Sequence, residues 1–165
     1  MIYIGIDNGL IGALVALSDF PGPPIEMIPM PTRGKTKGNE VDARKIGDWL
    51  ESISNGHYGR ITAILETPGK HSPGVMALCS MWDSYGAIRS ILENRLIRHH
   101  RITPQAWQNT MLIGCAKGDT KPAARAAAMR LWPDETWLKT PRCSTPDSGL
   151  IDAALIAEYG RIKKL

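Results

Sequence analysis

Three apolar runs, far apart in a chain of 165 residues, each meet a carboxylate at one end. Met1-Ile2-Tyr3-Ile4-Gly5-Ile6 stops at Asp7, and Ile61-Thr62-Ala63-Ile64-Leu65 stops at Glu66. Asp152, with Asp147 shortly before it, opens Ala153-Ala154-Leu155-Ile156-Ala157. Apolar runs have to pack on one another, so a fold that joins these three brings their acids to one place. Carboxylates at the edge of a core cost free energy unless something cationic pairs with them. Taken singly, each has a plainer role: Asp7 as a turn residue before Asn8-Gly9, Glu66 as a strand end, and Asp152 as a charge favoured by the dipole at a helix start. Their coincidence with one topology outweighs those separate roles.

The length suits one domain, residues 1–165, with a substantial core, and is too short for two of typical size. Hydrophobic residues make up 43% and charged residues 22%, which excludes the compositions of disordered and membrane proteins. No stretch approaches the ~20 apolar residues of a spanning helix, so no membrane partner is expected. The N-terminal run lacks the basic segment, longer apolar stretch and small-residue cleavage site of a secretory signal, and a cytoplasmic location is expected. Cys79, Cys115 and Cys143 match neither a disulfide framework nor zinc-site spacing and are read as free thiols. A net charge of +4 on a chain that gathers acids in one site leaves the rest of the surface more basic than the total. Nucleic acid is the partner this suggests, beside the plainer reading of a mildly basic surface.

Residues 2–7 and 11–17 are strand-like and flank Asn8-Gly9, a hairpin signal. A third strand is expected over Ile25 to Met30, followed by a basic loop from Pro31 to Asn39. Val41, Ile46, Trp49, Leu50 and Ile53 recur at helical spacing, predicting a helix over 41–54 that crosses to a parallel strand at 61–66. A long helix is expected from Pro73 to Leu96. Met76 and Met81 lie off its main stripe, and this second apolar face predicts a homodimer through the helix over 74–95. Then come a strand at Ile97 to Ile102, a short helix from Thr103-Pro104, a helix from Lys121 capped by Asp119-Thr120, and a last helix from about Gly149 to Ile162. The class is α/β, with five strands in a mixed sheet flanked by helices.

Strand-end carboxylates suit hard divalent ions, since Mg²⁺ takes oxygen ligands, keeps waters and is commonly held by one or two carboxylates plus substrate phosphate. Two such ions ~4 Å apart activate water and stabilise the leaving oxygen of an in-line displacement. This chemistry points to phosphodiester cutting. Gly5-Ile6-Asp7-Asn8-Gly9, Leu65-Glu66 and Asp152-Ala153-Ala154-Leu155-Ile156-Ala157 together resemble the RuvC family of Holliday junction resolvases, in the RNase H-like superfamily. Thr103-Pro104-Gln105-Ala106-Trp107, Asp119-Thr120-Lys121 and the ending Ile156 to Arg161 look closest to its phage and prophage branch.

The resemblance implies a dimeric endonuclease of a bacterium or phage-infected host, with two Mg²⁺ (or Mn²⁺) per site. It would bind a four-way or branched DNA junction and nick two opposed strands. Asp7, Glu66 and Asp152 fall on three of the family's catalytic, metal-binding acids. Lys121 falls where the family often has a lysine near the scissile phosphate, either to stabilise transition-state charge or simply to hold phosphate. The chain departs from the pattern at the remaining acid. The family commonly has an Asp three or four residues before the last one, where this chain has Gly149 and Ser148, with Asp147 five before. Either Asp147 reaches the metals, or Ser148 replaces the acid and the chain binds junctions while cutting poorly.

Junction contacts are expected on basic loops: Lys70 and His71 after Glu66, Arg33, Lys35 and Lys37 in a second arm, and Lys117 with Lys121 in a third. Such phosphate contacts position DNA without reading its sequence. The histidines show no metal spacing, and Trp49, Trp82 and Trp107 are read as core. Three alternatives stay open: a junction-binding pseudonuclease, a related RNase H-like nuclease on another branched DNA or RNA, and a kinase-type phosphotransfer domain sharing the opening motif.

Overall fold

Strands β1 (Ile2–Asp7) and β2 (Ala13–Ser18) are buried on both sides, which is why their sequences are continuous apolar runs rather than alternating ones. The computed structural model describes residues 1–35, 38–69, 74–114 and 120–165. After β2 come β3 (Glu26–Pro29), β4 (Thr32–Lys35), β5 (Gly38–Val41), α1 (Ala43–Ser54) and β6 (Ile61–Glu66). The chain continues through α2 (Val75–Asn94), β7 (Arg98–Ile102), α3 (Pro104–Met111), α4 (Thr120–Leu131) and α5 (Ser148–Lys163). Five strands form one mixed sheet in the order β3-β2-β1-β6-β7, with β1, β6 and β7 parallel and β2 and β3 antiparallel to their neighbours.

Side chains alternate across a strand, so β1 feeds two cores. Tyr3 joins Val15, Ile64 and Trp107 in a core closed by α3, α4 and α5. Ile4 and Ile6 join Leu14, Leu65, Leu50 and Leu92 in a second core under α1 and α2. Helix α5 is buried almost throughout and lies directly on the strands. A Cβ at Gly5 would collide with the Ala153 carbonyl and the Ala157 amide, and one at Gly160 with the Ile64 side chain. These two glycines let helix and strand backbones meet and so set the position of α5 along β1.

The basic segment expected as a loop from Pro31 to Asn39 is a hairpin of β4 and β5. Its register sets Arg33 opposite Glu40, and the Arg33 guanidinium bonds Glu40 Oε1 at 2.7 Å. A charged, glycine-containing stretch has no apolar period to reveal a strand; the cross-strand pairing and the packing of β5 on α2 make it one. Helix α1 starts at Ala43 rather than 41, because Val41 completes β5 and Asp42 caps the helix by accepting from the Lys45 amide at 3.2 Å. The β1–β2 connection runs over residues 8–12 and closes with the Gly12 amide donating to the Gly9 carbonyl at 2.8 Å. Trp49 and Trp107 are core residues, as are Trp132 and Trp137, but Trp82 is 49% exposed and is not. At the start of α2, its helical stripe turns away from the sheet and leaves Val75 and Met76 in the open as well.

Candidate functional site

One end of the sheet collects the acids. The parallel register sets Ile6 beside Leu65, so Asp7 and Glu66 leave the two central strands side by side. Both fall on the face that carries α5, by the alternation that places Tyr3 and Ile64 there. Asp7 also pairs with Ala13, and Ala13 with Pro29, so the β4–β5 hairpin departs from this same end. Ile102 of β7 lies opposite Glu66.

Each acid is held by local bonds. Asp7 Oδ1 accepts from the Gly9 amide at 3.3 Å, and a side chain at Gly12 would run into the Asp7 carbonyl and carboxyl groups. Glu66 Oε1 accepts from Trp107 Nε1 at 2.7 Å, and the buried Asn8 amide donates to the Glu66 carbonyl. Thr103 caps α3 and Pro104 occupies its first turn, which starts the helix at the place that delivers Trp107 to Glu66. Asp147 caps α5, its Oδ1 accepting from the Leu150 amide at 3.0 Å. Asp152 follows on the first turns of the same helix.

The electrostatics express crowding. Burial, then the neighbouring Asp147, pushes Asp7 up to about 6 against the Gly9 bond that favours its charged form. Burial raises Glu66 to about 7, opposed by the Trp107 hydrogen bond and assisted by Asp7. Asp152 is raised to about 7 by burial and by Asp7, Glu66 and Asp147, with Lys121 pulling the other way. Four carboxylates from three separate stretches thus sense one another, and Lys121 at the exposed start of α4 is the cation that offsets Asp152. Among the described residues no three acids, histidines or cysteines meet as a ready-made metal cage. The arrangement instead offers half-buried carboxylates, one or two of which commonly suffice for Mg²⁺ when waters and phosphate complete the shell.

At the two positions before Asp152 where the resembled family places an acid, the structure discriminates. A Cβ at Gly149 would lie 2.7 Å from the Ile11 carbonyl oxygen, so no side chain fits. Ser148 is exposed and sits one helical turn from Asp152. Of the basic candidates, Arg33 lies on the β4–β5 hairpin and is engaged by Glu40, and Lys35 belongs to β4. Lys37, Lys70, His71 and Lys117, with Asp119, lie outside the described residues. Sequence reasoning missed two contributors. Trp107 is a core residue that also orients Glu66, and Asn8, a turn residue by sequence, is buried and ties the β1 end to the β6 end. The signal for Asn8 was its place directly after a strand-end acid; Trp107 left none beyond its helix-start motif.

Neither a protein-family model nor a curated protein matches this chain. Solved structures do. The structure of Thermus thermophilus RuvC in complex with a Holliday junction substrate aligns with a TM-score of 0.63 at 15% identity, covering 99% of this chain and 94% of that one. A further Thermus thermophilus RuvC structure aligns with a TM-score of 0.55 at 12% identity, covering 99% of this chain and 97% of that one. The fold is RuvC-like, within the RNase H-like class.

Proposed function

We propose that this RuvC-like chain is a divalent-metal-dependent endonuclease that resolves four-way or otherwise branched DNA junctions by paired nicks. The observation that carries the reading is the convergence of Asp7, Glu66, Asp147 and Asp152 at one sheet end, where burial and mutual repulsion raise three of them to about 6 or 7. The Thermus structure with a Holliday junction substrate supports the choice of DNA substrate.

An all-oxygen donor set under charge strain fits Mg²⁺ or Mn²⁺. Asp7, Glu66, Asp147 and Asp152 are the residues that would hold such ions, with waters and substrate phosphate completing the shell. When bound, such ions supply an activated water and a clamp on the leaving oxygen. The protein's own contribution is orientation. The Trp107 indole fixes one Glu66 oxygen and leaves the other to bind, and the Gly9 amide does the same for Asp7. Lys121 offsets part of the rise at Asp152 and would stabilise the charge that develops on the phosphate. Basic residues of the β4–β5 hairpin and of the segments around Lys70 and Lys117 contact flanking phosphates. The exposed Val75, Met76 and Trp82 of α2 form the homodimer contact, and two-fold protein symmetry matches opposed cuts. The chain acts in the cytoplasm, as a single nuclease domain.

The test is cleavage of a labelled four-way junction in Mg²⁺, beside linear duplex and Asp7→Asn. Paired symmetric nicks in the junction alone, absent with Asp7→Asn, are expected. Cutting of duplex and junction alike would remove the substrate assignment. Tight binding by the wild type without nicks would mean a silenced site, with Ser148→Asp as the rescue.

A further inference from the structure

Helix α4 presents Lys121, Arg125 and Met129 at intervals of four, a single stripe along one side. Helix α5 answers with Ser148, Ile151 and Asp152, also one face. The buried alanines 124, 127 and 128 bring α4 close to the rest of the core and leave its stripe at the rim of a cleft of about 470 Å³. That volume lies within the range of small-molecule sites, about 300–1,000 Å³. The walls are mainly hydrocarbon, from Pro122, Met129 and Ile151, and Met129 remains 48% exposed. The polar groups are distributed unevenly: two cations stand on α4, and a hydroxyl and the candidate catalytic acid stand on α5.

We propose that this cleft seats one unstacked nucleotide of the DNA strand being cut, next to the scissile phosphate. Its base would lie on Met129, Pro122 and Ile151, and its phosphate would face Arg125 and Lys121. The charge pattern and the continuity with Asp152 argue for this occupant. An anion linked to a flat apolar group matches two cations beside a hydrocarbon wall, and whatever is held there is adjacent to the reacting phosphate. Methionine adapts its shape to a flat partner. The cleft then makes α4 a determinant of sequence preference at the cut, a role that rests on the junction-cutting reading.

Two readouts test it. 5-Iododeoxyuridine is placed in turn at each position around the cut of a four-way junction, and in a short single-stranded oligonucleotide. Each is irradiated with the full chain in chelator, and the crosslinks are mapped by mass spectrometry. Crosslinks to residues 121–129 or 148–152 from one position beside the cut are expected. In parallel, wild type, Met129→Glu and Arg125→Ala cut a panel of junctions that differ only in the flanking base. Both side chains are exposed, so the variants should fold. Preference among bases should fall roughly tenfold with Met129→Glu, the scale of one misread position. Crosslinks confined to other elements, or an unchanged preference in both variants, would overturn the proposal while junction cutting stands. If the wild type cuts no junction, the functional reading fails instead. The single-stranded crosslinks then decide the nucleotide seat: on α4 and α5 they uphold it, elsewhere they remove it.

Discussion

Without metal, the acid cluster should oppose folding, and replacing Asp7 by Asn should stabilise the protein. Asp7 rises from 3.8 to about 6 on folding. A carboxyl with a raised folded value favours folding while it is protonated, below about 4, and this advantage is lost as pH climbs through about 6. At about 1.4 kcal/mol per pH unit, the gap corresponds to about 3 kcal/mol of destabilisation at pH 8. An Asn amide keeps some desolvation cost, so the expected gain is about 1–3 kcal/mol, or about 3–10 °C in Tm for a chain of this size. The assay is thermal unfolding by circular dichroism in chelator at pH 5 and pH 8, for wild type and Asp7→Asn. The variant should gain at pH 8 and about half as much at pH 5, where Asp7 is already largely ionised in the unfolded chain. Adding Mg²⁺ at pH 8 should raise the wild-type Tm and largely spare the variant, since a ligand stabilises the state that binds it. A variant less stable than wild type at pH 8 in chelator, or an equal difference at both pH values, would refute the account of an uncompensated buried charge.

Trp107→Phe removes the indole donor from Glu66 while keeping most of the packing. The Glu66 carboxyl should titrate higher still, moving the acid limb of the cutting profile upward in pH and slowing nicking roughly tenfold or more at pH 7, the scale of a lost hydrogen bond to a charged group. Lys121→Met should raise the value of Asp152, weakening cutting near neutrality more than junction affinity measured by gel shift. Gly5→Ala sets a methyl group against the α5 backbone and should cost about 3 kcal/mol or more in urea unfolding, because a helix that packed must move as a unit. An exposed control, Gly22→Ala, has nothing near its Cβ and should change stability by about 0.5 kcal/mol or less.

Much of this protein was legible in its sequence because strands β1 and β6 are dominated by a local signal. A continuous apolar run ending in an acid announces both a buried strand and the place where it stops, and the parallel crossover that pairs Gly5 with Ile64 follows from the helix between them. The β4–β5 hairpin was not legible, since the Arg33–Glu40 pair across it and the packing of β5 on α2 leave no period in the sequence. Trp82 failed for the related reason that a helical stripe does not say which of its turns are covered. The sequence by itself determined the identity of the acids and the order of the elements that carry them. Only the tertiary structure decided that Trp107 reaches Glu66, that Gly149 has no room for a side chain, and that Asp147 and Asp152 share a field with Asp7. The first depends on where α3 meets the end of β6 and the other two on how closely α5 lies on β1 and the β1–β2 turn, and such separations are properties of packed backbones that no local pattern encodes.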